Sequence, residues 1–272
     1  MKTILVSTDF SKEAENAVEY AAAMAKVMGA QVMIYNSFVV PPHFSNSLLP
    51  ASAYQELIDH NNEILNNRAL KLQLDYGITA GFESDLLNLE EDLNRLVVKY
   101  NAGFVVMGMA KKSLDQDLFG NTTTSVIMKM KHQVLSVPYT SRFSRINKIL
   151  FACEEDMKDH HVFDTIKDLA LILGAEVEVF NVVQHADKIM TAQQQRDATE
   201  VIDELLEGVS HSFRQLESNY VISEIENELI RQQADLLIMV PRKYGFLKSI
   251  IHRSKTRIMA TNNNVPLLTI PL

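Results

Sequence analysis

The chain repeats itself, and the repeat constrains its fold more than any other feature of the sequence. The segment KTILVSTDFS, from Lys2, resembles NKILFACEED, from Asn147, and the two are 145 residues apart. The segment GAQVMIYNSF, from Gly29, resembles GAEVEVFNVV, from Gly174, at the same separation of 145 residues. One separation shared by two distant segments indicates a duplicated domain rather than a chance likeness.

Two further pairs of segments extend the repeat toward the end of each half. NAGFVVMG, from Asn101, resembles QADLLIMV, which begins 132 residues later at Gln233. The first half closes on VLSVP and the second on LLTIP. The sequence therefore predicts two homologous domains, 1–140 and 146–272, joined by a short polar link.

Within the first half, apolar runs alternate with segments of helical periodicity. The β-branched run Thr3–Ser7 predicts a strand, and apolar residues three and four apart predict a helix from Lys12 to Met28. Ser11 is expected to cap this helix and Gly29 to end it. Strands are then expected at 32–36, 78–82, 104–107 and 134–137, and helices at 52–75, 88–100 and 122–131.

The second half is expected to repeat this order, with Asp156 as the cap of its first helix and a short third strand around Tyr220–Ile222. Apolar strands that alternate with helices form parallel sheets covered on both faces. The predicted fold is therefore α/β, with two homologous domains, each an open, mostly parallel five-stranded sheet with helices on both faces (Rossmann-like). Ligands of such sheets bind beyond the carboxyl ends of the strands, where the first and fourth strands place Asp9 and Gly108.

Charge and apolar content limit the classes of partner. A net charge of -8 argues against nucleic acid and anionic membranes as partners. No apolar run is long enough to cross a bilayer, and the single cysteine, Cys153, allows no intrachain disulfide. We expect a cytoplasmic protein.

The segment after the predicted fourth strand has the composition of a phosphate-binding loop. Two glycines, Gly108 and Gly120, bracket it, and a helix that starts with an amide and hydroxyls follows. Backbone N–H groups and a helix N-terminus favour an anion there. Each residue also has a purely structural interpretation: Asp9 as a turn residue, the glycines as relief of strain, and Lys111 and Lys112 as solvated side chains.

The combined motifs resemble the universal stress protein family over nearly the whole chain, as a tandem pair. The resemblance rests on ILVSTDFS at the start, MGMAKKSLDQDLFGNTT after the fourth strand, and VLSVP and PLLTIP at the ends of the halves. It implies a fold of the adenine nucleotide alpha hydrolase-like type. In such proteins, single-domain members pair through their last strands, which implies an internal pseudo-dimer here, with Val134–Val137 against Leu267–Ile270. A homodimer of the chain and unknown protein partners are further expectations.

The resemblance also implies a nucleotide site, with ATP as the ligand, with or without Mg²⁺. Nucleotide-binding members carry Gly-x-x-Gly, then nine residues, then Gly-Ser or Gly-Thr, and an aspartate after the first strand. Matched residue by residue, the expected nucleotide-binding residues are Thr8, Asp9, Ser37, Gly108, Lys111, Lys112, Gly120, Asn121, Thr122 and Thr123.

This chain departs from the family pattern in both halves. Lys111 replaces the second glycine, and we expect its ammonium to take over that glycine's role at the phosphates. In the second half, Val240 and His252 replace the first and third glycines, so the phosphate loop is degenerate. That loop remains basic and is either a solvated face or an anion or partner site made of Arg242, Lys243, Lys248, His252, Arg253 and Ser254.

No catalytic or metal-binding motif stands beside these loops. The adjacent His160 and His161 lack a third ligand at a suitable spacing, and Cys153 is interpreted as a packed apolar residue. Three hypotheses follow. The first is a cytoplasmic stress-response regulatory protein that binds an adenine nucleotide in domain 1 and uses domain 2 structurally. The second is an interaction or scaffold protein with both pockets degenerate. The third is a slow ATP-hydrolysing enzyme, ranked last for want of a positioned base.

Overall fold

The computed structural model describes residues 3–37, 51–85, 89–109, 121–153, 159–184, 190–241 and 265–272. The chain divides into two units. One unit comprises Met1–Lys111 and Lys129–Phe143, and the other comprises Lys112–Met128 and Ser144–Leu272. No helix in the described ranges is long and apolar enough to cross a membrane.

The first unit contains five parallel strands. They are β1 (Thr3–Ser7), β2 (Gln31–Ser37), β3 (Ala80–Asp85), β4 (Ala102–Met109) and β5 (Val134–Pro138). Their order is β3-β2-β1-β4-β5, and each neighbouring pair is parallel. The strand order therefore changes direction at β1, which lies between β2 and β4. In a sheet of this kind, the ligand binds beside that change of direction.

The helices that follow these strands in the sequence are α1 (Lys12–Met28), α2 (Ala51–Tyr76), α3 (Leu89–Tyr100) and α4 (Asn121–Lys129). All of α4 except Lys129 is assigned to the other unit. The expected ends of α1 are confirmed. The Ser11 Oγ accepts a hydrogen bond from the backbone N–H of Ala14 at 3.2 Å. Gly29 has a φ of 61°, the left-handed conformation that favours glycine after a helix. The alanine-rich face of α1 is buried, as its spacing predicted.

The second unit repeats this arrangement of strands. They are β6 (Lys148–Cys153), β7 (Glu176–Val183), β8 (His211–Glu217), β9 (Leu236–Met239) and β10 (Leu267–Thr269). Their order is β10-β9-β6-β7-β8, and the neighbouring pairs are again parallel. The helices between them are α5 (His160–Leu173), α6 (Ala192–Leu205) and α7 (Val221–Gln232). The predicted α/β fold with two homologous halves is confirmed.

The predicted third strand of the second half was wrong. Tyr220 precedes α7, and Val221 and Ile222 form its first turn, whereas the strand is β8. β8 is an edge strand with mostly half-buried residues, so HSFRQLE lacks the apolar run that marks a central strand. In the first half, the predicted strand at 78–82 lies later, at Ala80–Asp85. That strand is also at an edge, where polar side chains obscure the boundaries.

The predicted cap of the first helix in the second half was also wrong. Asp159, not Asp156, caps α5, and its carboxylate accepts a hydrogen bond from the backbone N–H of Val162 at 3.1 Å. The repeat separation of 145 residues would start this helix three residues earlier than His160. His160 and His161 lie in the first turn of this helix.

Candidate functional site

Four of the predicted site residues share the carboxyl edge of the first sheet. Thr8 and Asp9 directly follow β1, Ser37 ends β2, and Gly108 is the penultimate residue of β4. Because β1 is the parallel neighbour of both β2 and β4, these three strand ends face the same side. The structure therefore brings Thr8, Asp9, Ser37 and Gly108 to one edge of the first unit.

Asp9 lies in a tight turn between β1 and α1. Its Oδ1 accepts a hydrogen bond from the backbone N–H of Ser11 at 2.9 Å, and its side chain is exposed. Phe10, within this turn, has a φ of 62°, which is uncommon for a residue other than glycine. The turn interpretation of Asp9 is therefore correct, and it leaves the carboxylate accessible at the start of a helix.

Thr8 is buried, and its hydroxyl is engaged inside the protein. The Thr8 Oγ1 accepts from the backbone N–H of Phe10 at 3.0 Å and donates to Glu15 Oε1 at 3.3 Å. Its backbone N–H donates to the carbonyl of Tyr35 at 2.8 Å. The Thr8 side chain thus fixes the turn that carries Asp9.

Gly108 is required by packing between β4 and α1. A Cβ built on Gly108 would lie 2.4 Å from the backbone oxygen of Glu13 and 2.9 Å from the backbone nitrogen of Ala14. Real Cβ atoms do not approach backbone atoms this closely, and neither atom belongs to a movable side chain. The absence of a side chain at Gly108 therefore lets the first turn of α1 lie directly on β4, next to the turn of Asp9.

The sequence pattern alone did not identify the polar residues whose hydrogen bonds stabilise this edge. The Asn36 side-chain N–H donates to the carbonyl of Thr8 at 2.8 Å. The Tyr35 hydroxyl donates to Asp92 Oδ2 on α3 at 2.8 Å. Burial, followed by this hydrogen bond, raises the pKa of the Tyr35 hydroxyl and keeps it neutral. The repeated asparagine, Asn36 and Asn181, was the available signal for one of them.

Ion pairs between α1 and α2 support the same region. Arg68 on α2 contacts Glu15 at 2.7 Å and Glu19 at 2.6 Å. Glu15 is also the acceptor for the Thr8 hydroxyl. A chain of polar contacts therefore runs from α2 through α1 to the turn after β1.

The phosphate loop is described only in part. Thr122 and Thr123 lie in the first turn of α4, so the predicted helix after this loop is confirmed, and Asn121 is its first residue. Thr122 is exposed and Thr123 is buried. Lys111, Lys112 and Gly120 lie outside the described residues. The basic residues of the second half, Arg242, Lys243, Lys248, His252, Arg253 and Ser254, also lie outside them.

The corresponding edge of the second unit keeps the framework and differs at the site. Asn181 donates to the carbonyl of Cys153 at 3.0 Å, as Asn36 does to Thr8. Val240 stands where the repeat places Gly108, and it is buried. A side chain is therefore present at this position of the second unit, where the first unit has none. Glu154, the counterpart of Asp9, lies outside the described residues.

No group of three or more metal-ligating side chains occurs in the described part of the chain. His160 and His161 are exposed on the first turn of α5, where adjacent residues point in different directions. Cys153, the single cysteine of the chain, is buried, as expected for a packed residue.

Comparison with known proteins agrees with this architecture. The sequence model of the Universal stress protein family matches residues 1–138. A universal stress protein from Archaeoglobus fulgidus has a similar structure, with a TM-score of 0.74 and 19% identity, and the match covers 99% of this chain and 98% of that one. A functionally unknown protein from Pseudomonas aeruginosa matches with a TM-score of 0.60 and 14% identity, over 99% of this chain and 92% of that one.

At such identities the structural likeness shows the fold. A search of curated protein sequences finds no match. The family match spans the first half, and the two halves share strand order, helix order and the buried asparagine. The chain belongs to the universal stress protein family, as a member with two homologous halves in tandem.

Proposed function

We propose that the first of the two predicted domains, residues 1–140, binds an adenine nucleotide, with ATP as the ligand, at the carboxyl edge of β1, β2 and β4. In this proposal the chain is a cytoplasmic stress-response regulatory protein, and its second unit is mainly structural. The observation that carries the proposal is the exposed Asp9 carboxylate, which a closed turn holds at the start of α1, on the same edge of the sheet as Gly108.

Each residue type at this edge suits one part of a nucleotide. The Asp9 carboxylate would accept hydrogen bonds from the ribose hydroxyls, because such charge-assisted bonds are strong. Backbone groups at Ser37 would pair with the adenine edge, and any side chain is compatible with that contact. The phosphates would lie along the loop from Gly108 through Gly120 to Asn121, Thr122 and Thr123, where a helix N-terminus favours negative charge.

Lys111 and Lys112 complete the phosphate contacts in this proposal. A lysine ammonium binds phosphate as a point charge and needs no close backbone approach. Lys111 would therefore replace the second family glycine by charge rather than by shape. Mg²⁺ would enter with ATP and would be held by the phosphates.

The second unit lacks the features that support binding in the first. Val240 fills the position of Gly108 with a buried side chain, and Cys153 stands at the position of Thr8. In addition, α5 begins at His160, three residues later than the repeat separation of 145 residues would place it. We therefore assign one nucleotide to each chain.

A second candidate is an interaction protein that binds no nucleotide. The observation in its favour is that Gly108 and Thr8 both have complete structural roles within the first unit. An ATP-hydrolysing enzyme is the third candidate, and it would need a base that polarises water beside the γ-phosphate.

Thermal unfolding with ATP distinguishes these candidates. Millimolar ATP, with and without Mg²⁺, should raise the unfolding temperature of the wild-type chain, because a ligand that binds only the folded state stabilises it. Asp9→Asn keeps the acceptor for Ser11 and removes the charge, so it should reduce the shift. Gly120→Trp should abolish it by filling the loop. An unfolding temperature of wild type that ATP does not change would favour the interaction protein. ATP turnover that a loop substitution abolishes would indicate the enzyme.

A further inference from the structure

Two glutamates are buried between the sheet and one helix of the second unit. Glu178 lies on β7 with 6% of its surface exposed, and Glu228 lies on α7 with 3% exposed. Charged side chains are seldom buried to this degree unless they are paired. Neither residue belongs to the carboxyl edge discussed above.

The two carboxylates share a small set of partners. The Arg231 Nε donates to both oxygens of Glu228 at 2.9 Å, and its Nη2 donates to Glu178 Oε1 at 3.2 Å. Arg214 on β8 forms a further ion pair with Glu228. Gln232 donates to Glu228 Oε1 at 3.2 Å. Glu228 is therefore fully compensated, whereas Glu178 receives a single contact from an arginine that is half exposed.

The second oxygen of Glu178 is the exception in this cluster. Among the described residues, Glu178 Oε2 is buried and has no hydrogen-bond partner. The Arg231 Nη2 that contacts Glu178 Oε1 also donates to Glu228 Oε1, so one nitrogen holds an oxygen of each glutamate. Two buried carboxylates this close together repel each other unless one of them carries a proton. Glu178, with fewer cationic partners, is the residue that carries the proton.

The first unit shows that the fold does not need these acids. The repeat places Met33 at the position of Glu178 and Leu96 at the position of Glu228. Leu96 is fully buried on α3, the counterpart of α7. Two apolar positions of one unit are thus both glutamates in the other. Buried ion pairs seldom stabilise a fold better than apolar residues do, so the paired change indicates a role other than stability.

The neighbouring strands place no charged residue directly beside Glu178. The register places Leu150 of β6 and Ser212 of β8 beside Glu178. On its own strand, Glu176 is exposed and pairs with Lys148 at 3.2 Å. The charged groups that act on Glu178 are therefore Glu228 and Arg231 from α7 and Arg214 from β8.

We propose that loss of the proton on Glu178 loosens the packing of α7 on β7 and β8, which makes the second unit a sensor of pH. With the proton present, Glu178 is neutral beside the Glu228 carboxylate, and the contacts of Arg231 with Glu178 and of Arg214 with Glu228 hold α7 to the sheet. Without it, two buried carboxylates face each other and Glu178 Oε2 has neither a proton nor a donor. The repulsion is relieved when α7 moves away and water enters.

The pKa values of the two glutamates are shifted in the directions that this mechanism requires. Burial first, and then the hydrogen bond and charge of Glu228, raise the pKa of Glu178 to about 7. Burial acts in the same direction on Glu228, but its hydrogen bonds, first of all that with Arg231, outweigh burial and lower its pKa. Because the folded-state pKa of Glu178 exceeds the ordinary value of 4.5, its stabilising contribution is complete below that ordinary value and is lost as pH rises through about 7.

Hydrogen exchange of the amides of Val221–Gln232 tests the proposal in the full chain. Protection is measured at about pH 6 and about pH 8, on either side of the pKa of about 7, and is corrected for the intrinsic pH dependence of exchange. In wild type, the protection factors of the α7 amides should fall about tenfold between the lower and the higher pH. Glu178→Gln, which stays neutral and can donate to Glu228, should show no such loss.

Glu176→Gln is the matched control, because it removes an exposed acid from the same strand and should behave like wild type. If Glu178→Gln folds poorly, Glu178→Met introduces the residue of the first unit and should also abolish the pH dependence. Equal protection at the two pH values in wild type would overturn the proposal. So would a loss of protection that persists unchanged in Glu178→Gln or in Glu178→Met.

Discussion

The Asn36 side chain donates a hydrogen bond to the backbone carbonyl of Thr8 at 2.8 Å and so ties the end of β2 to the turn that carries Asp9. The second unit forms the same bond between Asn181 and Cys153 at 3.0 Å. The acceptor residue is a threonine in one half and a cysteine in the other. The bond forms in both because the accepting carbonyl belongs to the backbone. It is a structural element of both halves, whichever ligand either half binds.

The two asparagines should differ in their contributions to stability. Asn36→Ala removes one hydrogen bond together with a buried Oδ1 that has no partner, so it should cost about 1 kcal/mol. Asn181→Ala also removes the acceptor for Gln215 Nε2, now at 2.9 Å. We expect a cost of about 2–3 kcal/mol there. Urea denaturation measures both values, and exposed Asn66→Ala, on α2, is the control. Equal costs at the two positions would show that the Gln215 contact adds nothing.

Gly108→Ala should destabilise the first unit even without ligand. The added methyl group would meet backbone atoms of Glu13 and Ala14, and α1 would have to shift. We expect a cost of about 1–3 kcal/mol, as for other overpacked positions. The matched control is Gly81→Ala, where the methyl group meets only the flexible end of the Met33 side chain at 3.0 Å. A Gly108→Ala chain as stable as Gly81→Ala would contradict the close packing of α1 on β4.

Removal of Arg68 should make the free energy of unfolding depend less on pH in the acidic range. Burial tends to raise the pKa of Glu19, but hydrogen bonds from Tyr76 and Arg68 outweigh it, and the net pKa is lowered. A lowered folded-state pKa stabilises the protein above the ordinary value of 4.5, and this contribution is lost as pH falls below it. Arg68→Met should therefore be less stable than wild type near neutral pH, and the difference should shrink in acid. Thermal unfolding at neutral and at acidic pH measures the difference in stability between the two chains. A difference that stays constant with pH would show that Arg68 acts only by packing.

Much of the fold was predictable, because the relevant signals are local and repeated. Ser11 and Gly29 mark the ends of α1 by capping chemistry, and the apolar runs of β1 and β4 are continuous in the sequence. β8 was not predictable in the same way. As an edge strand it is only half covered, so HSFRQLE shows no apolar run, while β-branched Val221 and Ile222 belong to a helix.

The location of the candidate site could be predicted from the sequence, but the contacts within it could not. Strand order alone puts Asp9 and Gly108 at one edge. The sequence could not reveal that Gly108 is needed for the approach of α1, because that contact joins residues almost a hundred positions apart. The acid pair Glu178 and Glu228 was equally hidden, because each glutamate alone reads as a surface residue.

Calorimetric titration of the full chain with ATP directly tests whether the nucleotide binds at Asp9. We expect one ATP bound per chain, binding weakened about tenfold to a hundredfold in Asp9→Asn, and unchanged binding in Glu154→Gln, the counterpart of Asp9 in the sequence repeat. An absence of heat at millimolar ATP, or an Asp9→Asn chain that titrates like wild type, would contradict the assignment of the nucleotide to the first unit.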